Sequence, residues 1–126
     1  LSKREIVTLC GSVRFRELFD FANRDLTLAG YIVLQPGVWE HDWLHKPEHN
    51  AELRKDGLDS LHCDKIRISD MIGVINPNHY LGKSTSKEIQ FAESIHKPIF
   101  WLEGQPSIKN LMLRRGLQDS RMETGK

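Results

Sequence analysis

Ile6-Val7-Thr8-Leu9-Cys10-Gly11-Ser12, followed by a helical pattern and then by Tyr31-Ile32-Val33-Leu34, decides the fold of this chain. Residues 6–10 are apolar and rich in β-branched side chains, and Gly11-Ser12 stops them, which predicts a short buried strand. Phe15, Leu18, Phe19, Ala22, Leu26 and Ala29 recur at helical spacing, with Gly30 at the C-terminal cap position. Residues 31–34 form a second strand, stopped by Gln35-Pro36-Gly37. A strand, a helix and a strand in tight succession predict a right-handed parallel crossover.

The alternation continues outward. Residues 51–69 fit a helix with Leu58, Leu61, Lys65 and Ile68 on one stripe, and Gly57 predicts a break in its first half. Met71-Ile72-Gly73-Val74-Ile75 is a third strand, ended by Asn76-Pro77-Asn78. A helix over 85–96 would bury Ile89, Ala92 and Ile95, and residues 98–102 make a fourth strand. Ser107 is placed to cap a last helix with Leu111 and Leu117, and residues 119–126 read as a frayed polar tail. Residues 37–50 lack a clean period and read as a loop that could act as a lid. The expectation is one α/β domain over 1–126. It would be a flavodoxin-like or Rossmann-like three-layer sandwich with a parallel sheet in the order 2-1-3-4, with room for an extra C-terminal element. Such sheets bind ligands beyond their carboxyl ends, where the strand order reverses, here between strands one and three.

Composition narrows the partners. The chain has 126 residues and a formal charge of +1, so it generates no strong field for a nucleic acid polymer. Its apolar runs are far shorter than the roughly 20 residues needed to cross a bilayer. No secretory signal is visible, and Cys10 and Cys63 are too few for a disulfide framework, so a cytoplasmic protein with reduced thiols is expected. His41, His45 and His49 recur every four residues, but Pro47 interrupts a shared helical face, so they read as solvated loop histidines and no metal is assigned. Trp39 and Trp43 could stack on a base or pack in an interface.

Three loops should meet at the carboxyl ends. In the first, Gly11 permits close backbone approach, Ser12 can donate to an anion and Arg14 can pair with phosphate, although a serine-capped turn explains the same residues. The third contains Gly82-Lys83-Ser84-Thr85-Ser86-Lys87-Glu88. Gly82-Lys83-Ser84 looks like the end of a P-loop, but the glycine required five residues earlier is Pro77, which argues against a nucleoside triphosphatase. Thr85 to Glu88 matches a capping box, with Glu88 reaching back to the Thr85 N–H. The alternative turns Glu88 into the cleft as a nucleophile for an anomeric carbon, kept ionised by the helix dipole. Asp70 either caps a turn or touches a sugar, and Tyr80 is a candidate base or sugar contact.

The combined pattern resembles the nucleoside 2-deoxyribosyltransferase-like superfamily. The matching pieces are Leu9-Cys10-Gly11-Ser12-Val13-Arg14, Ser69-Asp70-Met71-Ile72-Gly73-Val74 and the segment 84–92, in the same order over roughly residues 5–102. The first piece looks most like the 2′-deoxynucleoside 5′-phosphate N-hydrolases, whose corresponding turn binds the 5′-phosphate. A Tyr-Glu-Leu-Gly segment of those proteins corresponds to Lys87-Glu88-Ile89-Gln90, which implies Glu88 as the family nucleophile. Active members carry an Asp eight residues before the Ser-Asp pair; here that position is His62, with Asp64 two residues on. The resemblance implies cleavage or transfer at the N-glycosidic bond of a nucleoside 5′-monophosphate. Ser12, Arg14, Ser84 and Ser86 would hold phosphate, Asp70 and Tyr80 would contact substrate, and His62 or Asp64 would handle a proton or the ribose. It implies no cofactor, a small nucleotide or nucleoside as ligand, and a homodimer or higher oligomer. Two alternatives stand beside it: a nucleotide-sensing module of the same fold without catalysis, and a glycohydrolase acting on a dinucleotide such as NAD.

Overall fold

The computed structural model describes residues 3–39 and 51–102. His41, Trp43, His45 and His49 of the expected loop, the helix expected after Ser107 and the tail 119–126 lie outside the described residues.

The elements run β1 (Ile6–Gly11), α1 (Arg16–Leu28), β2 (Ile32–Leu34), α2 (Ala51–Ile68), β3 (Met71–Ile75), α3 (Lys83–Ser94) and β4 (Ile99–Trp101). The four strands form a parallel sheet in the order β2-β1-β3-β4. This is the expected α/β three-layer fold.

Period-two alternation in the central strands divides the core between the two faces of the sheet. Val7 and Leu9 of β1, with Met71 and Ile75 of β3, pack with Phe19, Ala22 and Leu26 of α1. Cys10, Ile72 and Val74 point the other way and pack with Ile66 of α2 and with Ile89 and Ala92 of α3. The alternation thus puts the Cys10 thiol beneath the two helices that follow the crossover.

Gly11 ends β1 at its tightest point. A Cβ there would stand 2.9 Å from the Ile75 carbonyl oxygen and 3.2 Å from Phe19, so only glycine lets the strand leave the sheet there. Gly30, at φ +96°, follows α1 as expected of a C-terminal glycine.

Three details differ from the sequence expectation. α2 runs unbroken through Gly57, where an added Cβ would meet nothing within 4 Å among the described residues. Its buried stripe is His62, Ile66 and Ser69, whereas Leu61 and Ile68 are exposed. The stripe is polar at both ends, so following leucines alone misjudged the helical phase. α3 begins two residues early, with Gly82 as its N-cap in an extended conformation. Thr85 is therefore a buried helical residue and not a cap, and Glu88 lies in the second turn, so the capping box does not form.

Candidate active site

Glu88 points at the sheet. Its Oε1 lies 3.8 Å from His62 Nε2, and that nitrogen lies 3.5 Å from Cys10 Sγ. One residue each from α3, α2 and β1 thus meets one step before the carboxyl end of β1. Three facts about phase bring them together: the inward alternation of Cys10, the buried stripe of α2, and the early start of α3. His62 is 6% exposed and Cys10 fully buried, while the Glu88 side chain keeps 16% of its surface.

Burial sets the charges. It pushes Glu88 up to about 7, and the negative charge of Asp59 adds to the rise. A hydrogen bond from the Cys10 thiol and the positive charge of Lys55 oppose that rise. His62 is lowered to about 4, chiefly by burial and then by Lys65, against Asp59 and a hydrogen bond to the Leu9 main chain. Burial, reinforced by Glu88, holds the Cys10 thiol well above its usual range. The contact between His62 and Glu88 is thus a neutral imidazole beside a carboxyl poised near neutrality, and not a fixed ion pair. The expectation that the helix dipole keeps Glu88 fully ionised is corrected: in the second turn of α3 desolvation outweighs it.

The loops of the sequence reading also converge. Ser12 Oγ accepts the Arg14 N–H at 3.4 Å, capping a short 3-10 turn over Val13–Phe15. The Arg14 guanidinium lies 4.8 Å from the centre of the Tyr80 ring, and Phe15 meets Tyr80 edge-on at 5.8 Å. The first and third loops are therefore in contact at the sheet end where Gly11 pairs with Ile75. Ser84 Oγ accepts from Lys55 Nζ at 3.1 Å, tying the start of α3 to α2. Ser86, half-buried in the first turn of α3, donates its N–H to Gly82 O at 3.0 Å.

Two candidates lie elsewhere. Asp64 is exposed and bonded to Arg67, on the outer side of α2. The shift of helical phase that would bring it inward does not occur, because His62 and Ile66 take the buried stripe. Asp70 sits at the amino end of β3, where Oδ2 accepts the Ile6 N–H at 2.8 Å. That is the opposite end of the sheet from Glu88, so its role is to splice β1 to the turn before β3. Trp39 packs edge-on against Phe19 at 4.9 Å and joins the core.

Asp59 and Lys55 were missed. Lys55, Asp59 and His62 stand at i, i+4 and i+7 on one helix, so stepping back by turns from His62 would have found both. Lys55 Nζ reaches Asp59 Oδ2 at 3.4 Å, and the charges of both act on Glu88. Asp59, one turn before His62, is thus the carboxylate whose charge acts on Glu88.

The arrangement supplies a desolvated carboxyl near neutrality, a neutral imidazole, a thiol donor, and loops with an arginine and serines. Those parts suit attack on an electrophilic carbon or proton exchange with a polar ligand. Among the described residues, no helix is long and apolar enough to cross a membrane.

No family model matches the chain, and no curated protein matches it in sequence. Among solved structures, a 2-deoxyribosyltransferase from the psychrotolerant bacterium Bacillus psychrosaccharolyticus superposes with a TM-score of 0.59. The alignment covers 79% of this chain and 74% of that one at 17% identity. What the two share at that identity is architecture: this chain has the nucleoside 2-deoxyribosyltransferase-like fold.

Proposed function

We propose that this protein cleaves or exchanges the N-glycosidic bond of a nucleoside 5′-monophosphate, with Glu88 as the nucleophile. The observation that carries the proposal is the Glu88 carboxyl, sunk between His62 and Cys10 beside the switch point of the sheet. In the forward step a Glu88 oxygen bonds to the anomeric carbon as the carbon–nitrogen bond to the base breaks. Water, or a second base, then displaces Glu88. The Cys10 thiol, 3.5 Å from His62 Nε2 and within 4.8 Å of the carboxylate, would steady Glu88 between turnovers. Asp59 is the carboxylate on hand for a sugar hydroxyl or for the proton of the departing base. Ser12, Arg14, Ser84 and Ser86 would hold the phosphate, with Lys55 adding charge and Tyr80 lining the sugar or base. A symmetric dimer that completes the pocket belongs to this proposal by analogy with the resembled family.

A second reading is a nucleotide-binding module without catalysis. It is favoured by His62, which stands where active members of the resembled superfamily have an Asp.

A panel of ribo- and deoxyribonucleosides, their 5′-monophosphates and NAD, assayed for free base by chromatography, separates the two. Base release that falls at least ~1,000-fold in Glu88→Gln, with the variant still folded, supports the enzyme. Binding without release supports the module, and failure to bind any of the ligands defeats both.

A further inference from the structure

Cys10, His62 and Glu88 come from three elements, yet Sγ, Nε2 and a carboxylate oxygen all lie within 4.8 Å of one another. This is not a patch of surface acids. Cys10 and His62 are buried, and together the groups are a thiol, an imidazole and a carboxylate, the donor types that suit borderline-soft divalent ions. We propose that these residues form a three-ligand site for a zinc-class divalent cation, with a fourth position left for water or another small ligand.

The spacing fits. Tetrahedral zinc with bonds of about 2.3 Å to sulfur and about 2.0 Å to nitrogen and oxygen sets its donors roughly 3.3–3.6 Å apart. Cys10 Sγ and His62 Nε2 are already 3.5 Å apart, and His62 Nε2 and Glu88 Oε1 3.8 Å. Glu88, the least buried of the three, closes the remaining gap by a side-chain rotation. A hydrogen bond to the Leu9 main chain holds the imidazole, as ligating histidines are commonly held. Charge also balances. Binding transfers the Cys10 thiol proton to solvent, along with the Glu88 proton where that carboxyl carries one. The divalent ion, one thiolate and one carboxylate then sum to zero, and a neutral complex is what a buried site tolerates. A Glu88 oxygen bound to the ion is not free to attack a sugar carbon, so occupancy would switch glycosidic cleavage off. That consequence rests on the proposed function; the metal site does not.

The test is titration of chelator-treated protein with Zn²⁺ against a chromophoric competitor, and with Co²⁺ followed by absorbance. The expected result is one equivalent bound with proton release and a thiolate-to-cobalt charge-transfer band. Cys10→Ser should abolish that band, and Cys10→Ser, His62→Gln and Glu88→Gln should each weaken binding, the first two by at least ~100-fold. Circular dichroism on every variant checks folding. Glu88→Gln, at the least buried position, keeps the test decisive if the core variants unfold. Absence of saturable binding overturns the proposal. So does binding that survives all three substitutions but is lost when His41, His45 and His49 become Ala. Where a nucleotide is cleaved, base release unaffected by one bound equivalent overturns the switch alone. Where none is cleaved, the titration still decides the site.

Discussion

At the scale of single residues, the proposed chemistry rests on the ionisation of Glu88. A nucleophilic carboxylate reacts only when ionised. With the group near 7, about a tenth is ionised at pH 6 and about nine-tenths at pH 8. In chelator-treated protein, kcat/KM for base release should therefore rise with pH along an acid limb centred near 7, since that ratio reports the free enzyme. A limb centred near the ordinary glutamate value would remove the buried carboxyl as the reacting group. Asp59 raises Glu88 by like-charge repulsion, so Asp59→Asn should move the limb to lower pH. An unmoved limb would mean that Asp59 does not act on Glu88. Glu88 and His62 were named in the sequence through the resembled family's motif positions, and the structure sets the two side chains 3.8 Å apart. The values of their ionisations were not legible there. Those depend on how far each group is sunk, His62 to 6% exposure and the Glu88 side chain to 16%.

At the scale of elements, what the sequence concealed was helical phase. Leu58, Leu61, Lys65 and Ile68 suggested one face of α2, but the buried face is His62, Ile66 and Ser69. The polar ends of that stripe have partners that only the tertiary structure supplies. Ser69 Oγ donates to the Lys65 carbonyl oxygen and is hydrogen-bonded to Thr8 of β1. His62 meets Cys10. Satisfied in this way, polar side chains can sit against a sheet that would otherwise demand leucines. Asp64 was a candidate through the resembled family's pattern, two residues from His62, and the observed phase leaves it exposed and paired with Arg67. Local backbone chemistry, in contrast, was readable. Gly11 was read as permitting close backbone approach in a ligand-binding loop, and within the sheet an added Cβ there would stand 2.9 Å from the Ile75 carbonyl oxygen. Gly11→Ala should accordingly destabilise the fold by about 1–3 kcal/mol, since the backbone of a central strand cannot give way as a side chain would. Urea melts at fixed pH measure this, and a change below about 0.5 kcal/mol would show that the strand end yields.

At the scale of the whole molecule, the parallel sheet and its strand order followed from the alternation of strand and helix patterns. That pattern is global and tolerates local errors of phase. Folding then does something to protons that no motif reveals. In the unfolded chain near pH 5.5, His62 is charged and Glu88 ionised, from ordinary values of 6.5 and 4.5. In the folded chain these become about 4 and about 7, so both groups are neutral. Folding moves the equivalent of one proton from the imidazole to the carboxyl. Glu88, raised on folding, contributes stability that is present below 4.5 and lost as pH rises through about 7. His62, lowered on folding, contributes stability that is present above 6.5 and lost as pH falls through about 4. Between about 4.5 and 6.5 the two slopes oppose and largely cancel. Each displacement corresponds to about 3 kcal/mol. In chelator-treated protein the pair should therefore leave the wild-type urea midpoint nearly level across that window. Glu88→Gln removes one arm and leaves His62, so stability should climb by about 3 kcal/mol from pH 4 to 6.5. His62→Gln leaves the other arm, and stability should fall by a similar amount from pH 4.5 to 7. If both variants kept the wild-type pH profile, the two groups would not be exchanging a proton on folding, and the desolvated pair at the centre of the site would have to be abandoned.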